Sequence, residues 1–254
     1  SDGIVHVRIN RPEVMNACDG ETYDAIADAW DDLENDPDLR VGILSGEGRS
    51  FCVGTDVKWV MSPDAEGFED RLYPRLLALS KPVIAAIHGH CNGGGLEQAL
   101  GADIRVSADD AHYGLGEIRL GWIPGGHGTQ RLPRVIPLGA ALEMLYTGGR
   151  IDAPEAYRVG LVNHVVAADE LMSKCEQIAA EIVKSAPLAV QKMKSVVMQG
   201  LDMPLSEAVK LEHEYFEWLM QNEDAKEGGR AFAEKRTQNW KAIYSLNFSP
   251  SCVR

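Results

Sequence analysis

Lys81-Pro82-Val83-Ile84-Ala85-Ala86-Ile87-His88-Gly89, followed at once by Asn92-Gly93-Gly94-Gly95-Leu96-Glu97, decides how this chain is read. The first stretch is a short apolar strand entered through a proline. The second is a glycine turn leading into a short helix over Leu96–Leu100, with a glutamate in its first turn. A glycine turn at a helix N-terminus offers backbone N–H groups to an anion. It is not a P-loop, since no Gly-Lys-Ser/Thr follows, nor does it fit a dinucleotide fingerprint. Twenty positions on, Glu117 opens Glu117-Ile118-Arg119-Leu120-Gly121-Trp122-Ile123-Pro124-Gly125, again beside glycines. Oxyanion donors and two carboxylates able to move protons are thus written close together. Taken singly, the glycine run also suits close helix packing, and each glutamate a helix cap or surface ion pair.

Outward from this centre, strands and helices interleave. Ile4–Ile9 alternates apolar and polar residues as a half-buried strand does. Thr22–Leu33 places Tyr23, Ile26, Trp30 and Leu33 on one helical face. Arg40–Ser45 reads as a strand, 46–50 as a turn, Phe68–Leu79 as a helix and Asp103–Val106 as a strand. From Leu138 onward the pattern is mainly helical, with segments at Leu171–Val183, Leu188–Gln199, Pro204–Met220 and Ala225–Lys235. Ser249–Arg254 reads as a loose tail. No low-complexity linker interrupts the chain, and the recurrence is architectural, not a sequence repeat.

Composition narrows the function classes. The 254 residues carry 38 acidic and 25 basic side chains, a net charge of −13, which disfavours nucleic acid as a partner. An anionic small ligand needs only a local basic patch. Five cysteines without CxxC spacing read as reduced thiols, and no histidine pair has metal-ligand spacing. No stretch approaches the roughly 18 apolar residues of a membrane span. With no signal peptide visible, the expectation is a soluble, cytoplasmic protein.

Six motifs occur in order and at ordinary spacing. They are Asn10-Arg11-Pro12; Phe51-Cys52-Val53-Gly54-Thr55-Asp56-Val57-Lys58; Lys81–Gly89; Gly93–Glu97; Pro124-Gly125-Gly126-His127-Gly128-Thr129-Gln130-Arg131-Leu132; and Glu234-Lys235-Arg236. Together they resemble the crotonase (enoyl-CoA hydratase/isomerase) superfamily over nearly the whole chain. The resemblance implies an α/β spiral of repeated strand–strand–helix units over residues 1–190, holding the active site, and an α-helical trimerisation region over 191–254.

It also implies roles. An acyl-CoA thioester becomes reactive at its α- and β-carbons when charge on its carbonyl oxygen is stabilised, and one preorganised donor is worth about 10²–10³ in rate. By resemblance those donors are the main-chain N–H groups of Thr55 and Gly94, the latter just ahead of a helix starting near Gly95. Thr55 departs from the usual alanine or glycine; its donor survives, but its β-branch narrows the pocket. Glu97 would activate the attacking water and Glu117 would exchange a proton with the α-carbon, each such group contributing about 10²–10⁴. Two close carboxyls in a partly apolar site separate their proton affinities.

Trp122 and His127 follow in the same loop as candidates to line the acyl pocket, although a loop histidine is more often a surface residue. His88 and His90 read as packing residues. The backbone of Cys52, Val53 and Asp56 matches an adenine-side wall, and Lys58 a position that approaches CoA phosphates. Phe216 and Lys235 match residues that reach CoA from a neighbouring subunit; equally, Phe216 reads as core and Lys235 as a solvated lysine. The implied reaction is syn-hydration of a trans-2-enoyl-CoA to a 3-hydroxyacyl-CoA, by a homotrimer or a hexamer of paired trimers. No metal or redox cofactor is expected, CoA being part of the substrate. An isomerase, a hydratase of a cyclic or branched acyl-CoA, and a CoA-ester-binding scaffold are the alternatives, with RNA binding weaker still.

Overall fold

A computed structural model describes residues 3–65 and 69–242. The chain divides into two compact units, Ser1–Leu79 with Val83–Ala179, and Ser80–Pro82 with Ala180–Arg254. In order, the first unit contains β1 (Ile4–Ile9), α1 (Gly20–Asn35), β2 (Val41–Gly46), α2 (Val57–Val60), α3 (Glu69–Ala78), β3 (Val83–Ile87), β4 (His90–Asn92) and α4 (Gly94–Gly101). It continues with β5 (Ile104–Ala108), β6 (His112–Gly114), α5 (Gly128–Val135), α6 (Leu138–Thr147), β7 (Arg150–Asp152), α7 (Ala153–Arg158), β8 (His164–Val166) and most of α8 (Leu171–Val183).

The main sheet runs β1-β2-β3-β5-β8, every pairing parallel. A parallel sheet is covered on both faces, which is why its middle strands lose the polar alternation seen in β1. All of Val83–Ile87 is buried, as is Val41–Ser45. A smaller sheet, β4-β6-β7, has β4 and β6 parallel and β6 and β7 antiparallel. The helical face read from the sequence is the one that enters the core: Tyr23, Trp30 and Leu33 are wholly buried and Ile26 nearly so. Asp19 starts that helix by accepting the Thr22 N–H at 3.0 Å.

The second unit contains α9 (Pro187–Gly200), α10 (Leu205–Met220) and α11 (Glu223–Glu234). Lys192 Nζ lies 5.5 Å from the Trp218 ring centroid, and the Asn222 side chain donates to Trp218 O at 2.9 Å. Among the described residues no helix is long and apolar enough to cross a membrane.

Two readings change, and two others cannot be compared with the structure. The helix read over Leu96–Leu100 starts two residues earlier, so Gly94 is its first residue and not the one ahead of it. The mainly helical stretch after Leu138 also contains β7 and β8, three residues each, too short for a period of two to register. Phe68 and the Ser249–Arg254 tail lie outside the described residues.

Candidate active site

The motif Phe51–Asp56 is sewn to two neighbouring segments. Cys52 and Cys91 form one parallel bridge, Cys18 and Thr55 another. Cys18 N donates to Gly54 O and Asp56 N to Cys18 O, both at 2.8 Å, while Asn92 N donates to Cys52 O at 3.0 Å. Behind these bridges the sulfurs of Cys18 and Cys52 meet at 3.7 Å, both wholly buried. The motif is thereby laid along the start of α4, and a Cβ on Gly54 would come 3.1 Å from Gly94 N.

Gly93 makes the turn. Its φ of +53° with ψ of −131° is open to glycine and strained for other residues, and a Cβ there would press on Glu117 Oε1 at 3.1 Å. Among the described residues the main-chain N–H groups of Thr55 and Gly94 have no hydrogen-bond partner. Two adjacent unpaired donors, one at a helix N-terminus, are what an oxyanion site requires.

Glu97 and Glu117 flank this turn. Glu97, only 4% exposed, accepts from the Gly128 N–H at 2.8 Å, at the N-terminus of α5. Burial pushes its carboxyl up to about 7, against the Gly128 bond that favours the charged form, and the Glu117 charge raises it further. Glu117 heads a 3₁₀ helix, Glu117–Leu120, and its Oε2 is buried with no partner. Burial raises its carboxyl above the usual range as well. The site thus holds two carboxyls whose proton affinities burial raises, Glu97 to about 7.

Val53, Thr55, Gly94, Glu97, Glu117 and Trp122 line one cavity of about 910 Å³. Its apolar wall comes from Val57, Val60, Met61, Leu120, Trp122 and Ile123, and Asn92, Arg119 and Arg150 add polar groups.

Other sequence-derived candidates lie elsewhere. Cys52 is wholly buried and sits behind the cavity wall. Asp56 caps α2, its carboxylate accepting from Lys58 N at 2.9 Å and Trp59 N at 3.4 Å. Lys58 is exposed on α2 and outside the lining. His127 is exposed and also outside it, with its ring set edge-on to Tyr73 at 5.5 Å. Phe216 is exposed on α10, correcting the alternative that it is core within this chain, and Lys235 closes α11 in the left-handed conformation. Both belong to the second unit. Sequence reasoning missed Tyr73, Asn92, Arg119 and Arg150, and took Tyr23 for core alone. Periodicity marked Tyr23 only as a core face, Asn92 and Arg119 stood in the quoted stretches without a role, and nothing local pointed to Tyr73 or Arg150.

Among the described residues no group of three or more His, Cys, Asp or Glu side chains is placed to hold a metal ion.

Comparison with known proteins places the whole chain. The family model for enoyl-CoA hydratase/isomerase matches residues 1–243. The chain is 41% identical over 244 residues to (E)-benzylidenesuccinyl-CoA hydratase of Thauera aromatica, covering 93% of this chain and 94% of that protein. It is 40% identical over 250 residues to carnitinyl-CoA dehydratase of Proteus mirabilis, covering 94% and 95%. The crystal structure of enoyl-CoA hydratase from Bacillus anthracis superposes with a TM-score of 0.91 at 35% identity, over 95% of this chain and 96% of that one. With paired carboxyls beside two free main-chain donors on this fold, the chain belongs to the enoyl-CoA hydratase/isomerase family of the crotonase superfamily, and is an enzyme of the enoyl-CoA hydratase class.

Proposed function

We propose that the protein adds water reversibly across the 2,3-double bond of an enoyl-CoA, giving a 3-hydroxyacyl-CoA. The observation that carries this reading is the buried carboxyl of Glu97 and the half-buried one of Glu117, lining one cavity with Thr55 and Gly94, whose N–H groups are unpaired. The thioester oxygen accepts from both N–H groups. Glu97, as carboxylate, takes one proton from water while the water oxygen bonds to the β-carbon. The alkene electron pair moves toward the α-carbon and the carbonyl, placing negative charge on the oxygen where the two donors wait. Glu117, as acid, gives its proton to the α-carbon. Glu97 ends protonated and Glu117 ionised, and exchange with solvent resets the pair. No metal, redox centre or organic cofactor takes part in these steps.

The apolar wall around Trp122 and Met61 receives the acyl chain. Lys58 meets CoA phosphate, and Val53 with the neighbouring main chain forms the adenine-side wall. Phe216 and Lys235 reach CoA from an adjoining subunit of a trimer or a pair of trimers. Support for assembly comes from exposed apolar side chains in helical register: Leu205, Val209, Phe216 and Met220 on α10, and Met193 and Val197 on α9 with Leu201 at its C-cap.

A branched or polar acyl group is the second reading. It is favoured by Arg119 and Arg150 in the cavity wall and by relatives named for benzylidenesuccinyl-CoA and carnitinyl-CoA. The test is a panel of straight, branched and carboxylated enoyl-CoA esters in ¹⁸O-water, with products identified by mass spectrometry. One ester should gain a single ¹⁸O at the β-carbon. Double-bond migration without label would transfer the chain to the isomerases, and inertness toward every ester would overturn the reading.

A further inference from the structure

One row of the small sheet sets an amide and an arginine on the same side of the cavity wall. Asn92 pairs with Gly114 between β4 and β6, and Gly114 pairs with Arg150 between β6 and β7. Residues directly opposite on neighbouring strands share a face, so these two side chains flank a residue that has none. Gly114 permits the arrangement: a Cβ there would come 2.9 Å from Arg150 Cγ and 3.4 Å from Asn92 Oδ1. The arginine stem lies over the bare glycine. A second arginine is seated in the same manner. Arg119 Nε donates to Thr147 O at 3.2 Å, and a Cβ on Gly148 would lie 3.0 Å from that nitrogen. Asn92, Gly114, Arg119, Gly148 and Arg150 all line the cavity.

The three polar side chains on this wall offer donors. Among the described residues neither arginine has a carboxylate partner, and the Arg150 guanidinium makes no hydrogen bond. Asn92 Oδ1 is buried without a partner, so the amide meets the cavity through Nδ2, which only donates. In a chain of net charge −13, two arginines on one wall without acidic partners mark a place for an outside anion. They do not serve the neighbouring acid, because burial raises the Glu117 carboxyl and neither guanidinium lowers it. Both arginines are also exposed, at the part of the cavity that opens to water. An anion paired there keeps some hydration and avoids the full penalty of a buried charge.

We propose that the enoyl-CoA taken by this enzyme carries a carboxylate on its acyl chain, recognised by Arg150 together with Asn92 and Arg119. The proposal rests on the hydratase reading and deepens it by naming the substrate class. The place of the row decides between the two anions an acyl-CoA can bring. Asn92 immediately precedes Gly93, where a Cβ would press on Glu117 Oε1 at 3.1 Å. The donors therefore begin beside the acid that serves the α-carbon, at the acyl end of the thioester, whereas the CoA phosphates fall to Lys58. A guanidinium fork takes both oxygens of a carboxylate, and the Asn92 amide adds a third donor. A carboxamide of the same shape has no charge to offer the fork and brings N–H donors against donors.

The test uses the full-length chain and a short series of trans-2-enedioic acid mono-CoA esters, each compared with its terminal carboxamide. The readout is the ratio of kcat/KM for acid over amide. Because the ratio is taken within one variant, any loss of folded protein cancels. Wild type should favour the best acid by about 10–100-fold, the range expected of charge-assisted hydrogen bonds. Arg150→Met should bring that ratio down about tenfold or more, chiefly through KM, with a smaller fall in Arg119→Met. Arg134→Met removes an exposed arginine of α5 that donates to Gln130 O at 2.8 Å, and serves as the control for net charge. Its ratio should match wild type.

A wild-type ratio near one across the series would overturn the proposal. So would an Arg150→Met loss that is equal for acids and amides and disappears with pantetheine esters, which lack the CoA phosphates; that result assigns the arginines to CoA. Calorimetric titration with the saturated acid and amide esters reads recognition without turnover. Tighter binding of the acid, lost in Arg150→Met, in a protein that hydrates no ester would leave the recognition standing and reject the hydratase reading. Equal binding of the two would reject the recognition, whatever the turnover.

Discussion

Glu97 Oε1 sits 2.8 Å from the main-chain N–H of Gly128, so a side chain of α4 is held at the N-terminus of α5. The bond and the helix N-terminus favour the ionised carboxyl, yet burial prevails and the group titrates near 7. A base of that strength accepts water's proton near neutral pH and is still ionised often enough to start the reaction.

Replacement of Glu97 by glutamine keeps the shape and removes the base. Hydration should fall by about 10²–10⁴ in kcat, with KM for the ester nearly unchanged. Stopped-flow or absorbance assays of enoyl-CoA loss check this, and wild-type turnover in the variant would sink the assignment.

The same carboxyl makes a prediction about stability. Its folded-state value of about 7 lies above the ordinary 4.5, so the folded chain holds a proton that the unfolded chain releases. Its contribution is complete below about 4.5 and is lost as pH rises through 7, by about 3 kcal/mol in all. Glu97→Gln should therefore raise Tm over wild type at pH 8, and the gap should shrink at pH 5. Calorimetry at both pH values decides it; a gap that widens toward acid would contradict the sign.

Glu117 has a buried oxygen with no partner and a proton affinity raised by burial. Glu117→Gln should suppress exchange of the α-proton of a saturated or 3-hydroxyacyl ester in D₂O by about 10² or more. Proton NMR reads this directly, and undiminished exchange would move the α-carbon role to another group.

Asp56 supplies a contrasting case. Its carboxylate bonds two N–H groups of α2, the pattern of a helix cap. Asp56→Ala should cost about 1 kcal/mol of stability. If capping is its whole role, KM for the CoA ester stays at the wild-type value; a large rise in KM would assign the carboxylate to CoA itself.

Much of this was legible in the chain because the informative residues are local. Tyr23, Ile26, Trp30 and Leu33 repeat at helical spacing, and Val83–Ile87 is apolar throughout because a parallel sheet buries both its faces. Glycines and glutamates at fixed offsets mark Gly94, Glu97 and Glu117 on the cavity. What stayed hidden depends on residues distant in sequence. Nothing local announces that Gly128 will donate to Glu97, 31 positions away, or that Tyr23 will bond Thr55, 32 positions away. The three-residue strands β4, β6, β7 and β8 are held by pairing across the fold and leave no pattern of their own. Within the Phe51–Asp56 motif the Phe51 and Cys52 side chains turn into the core while Val53 and Thr55 line the cavity, a division that the motif's sequence does not announce.

The thiol pair under the Cys18–Thr55 bridge has a practical use. Burial and the neighbouring sulfur raise the Cys18 proton affinity, and neither thiol meets solvent in the folded state. An alkylating reagent reaches them only when the structure around them opens. The labelling rate of Cys18 and Cys52 in the native enzyme is therefore a clock for opening behind the Cys18–Thr55 bridge, readable without any substrate bound.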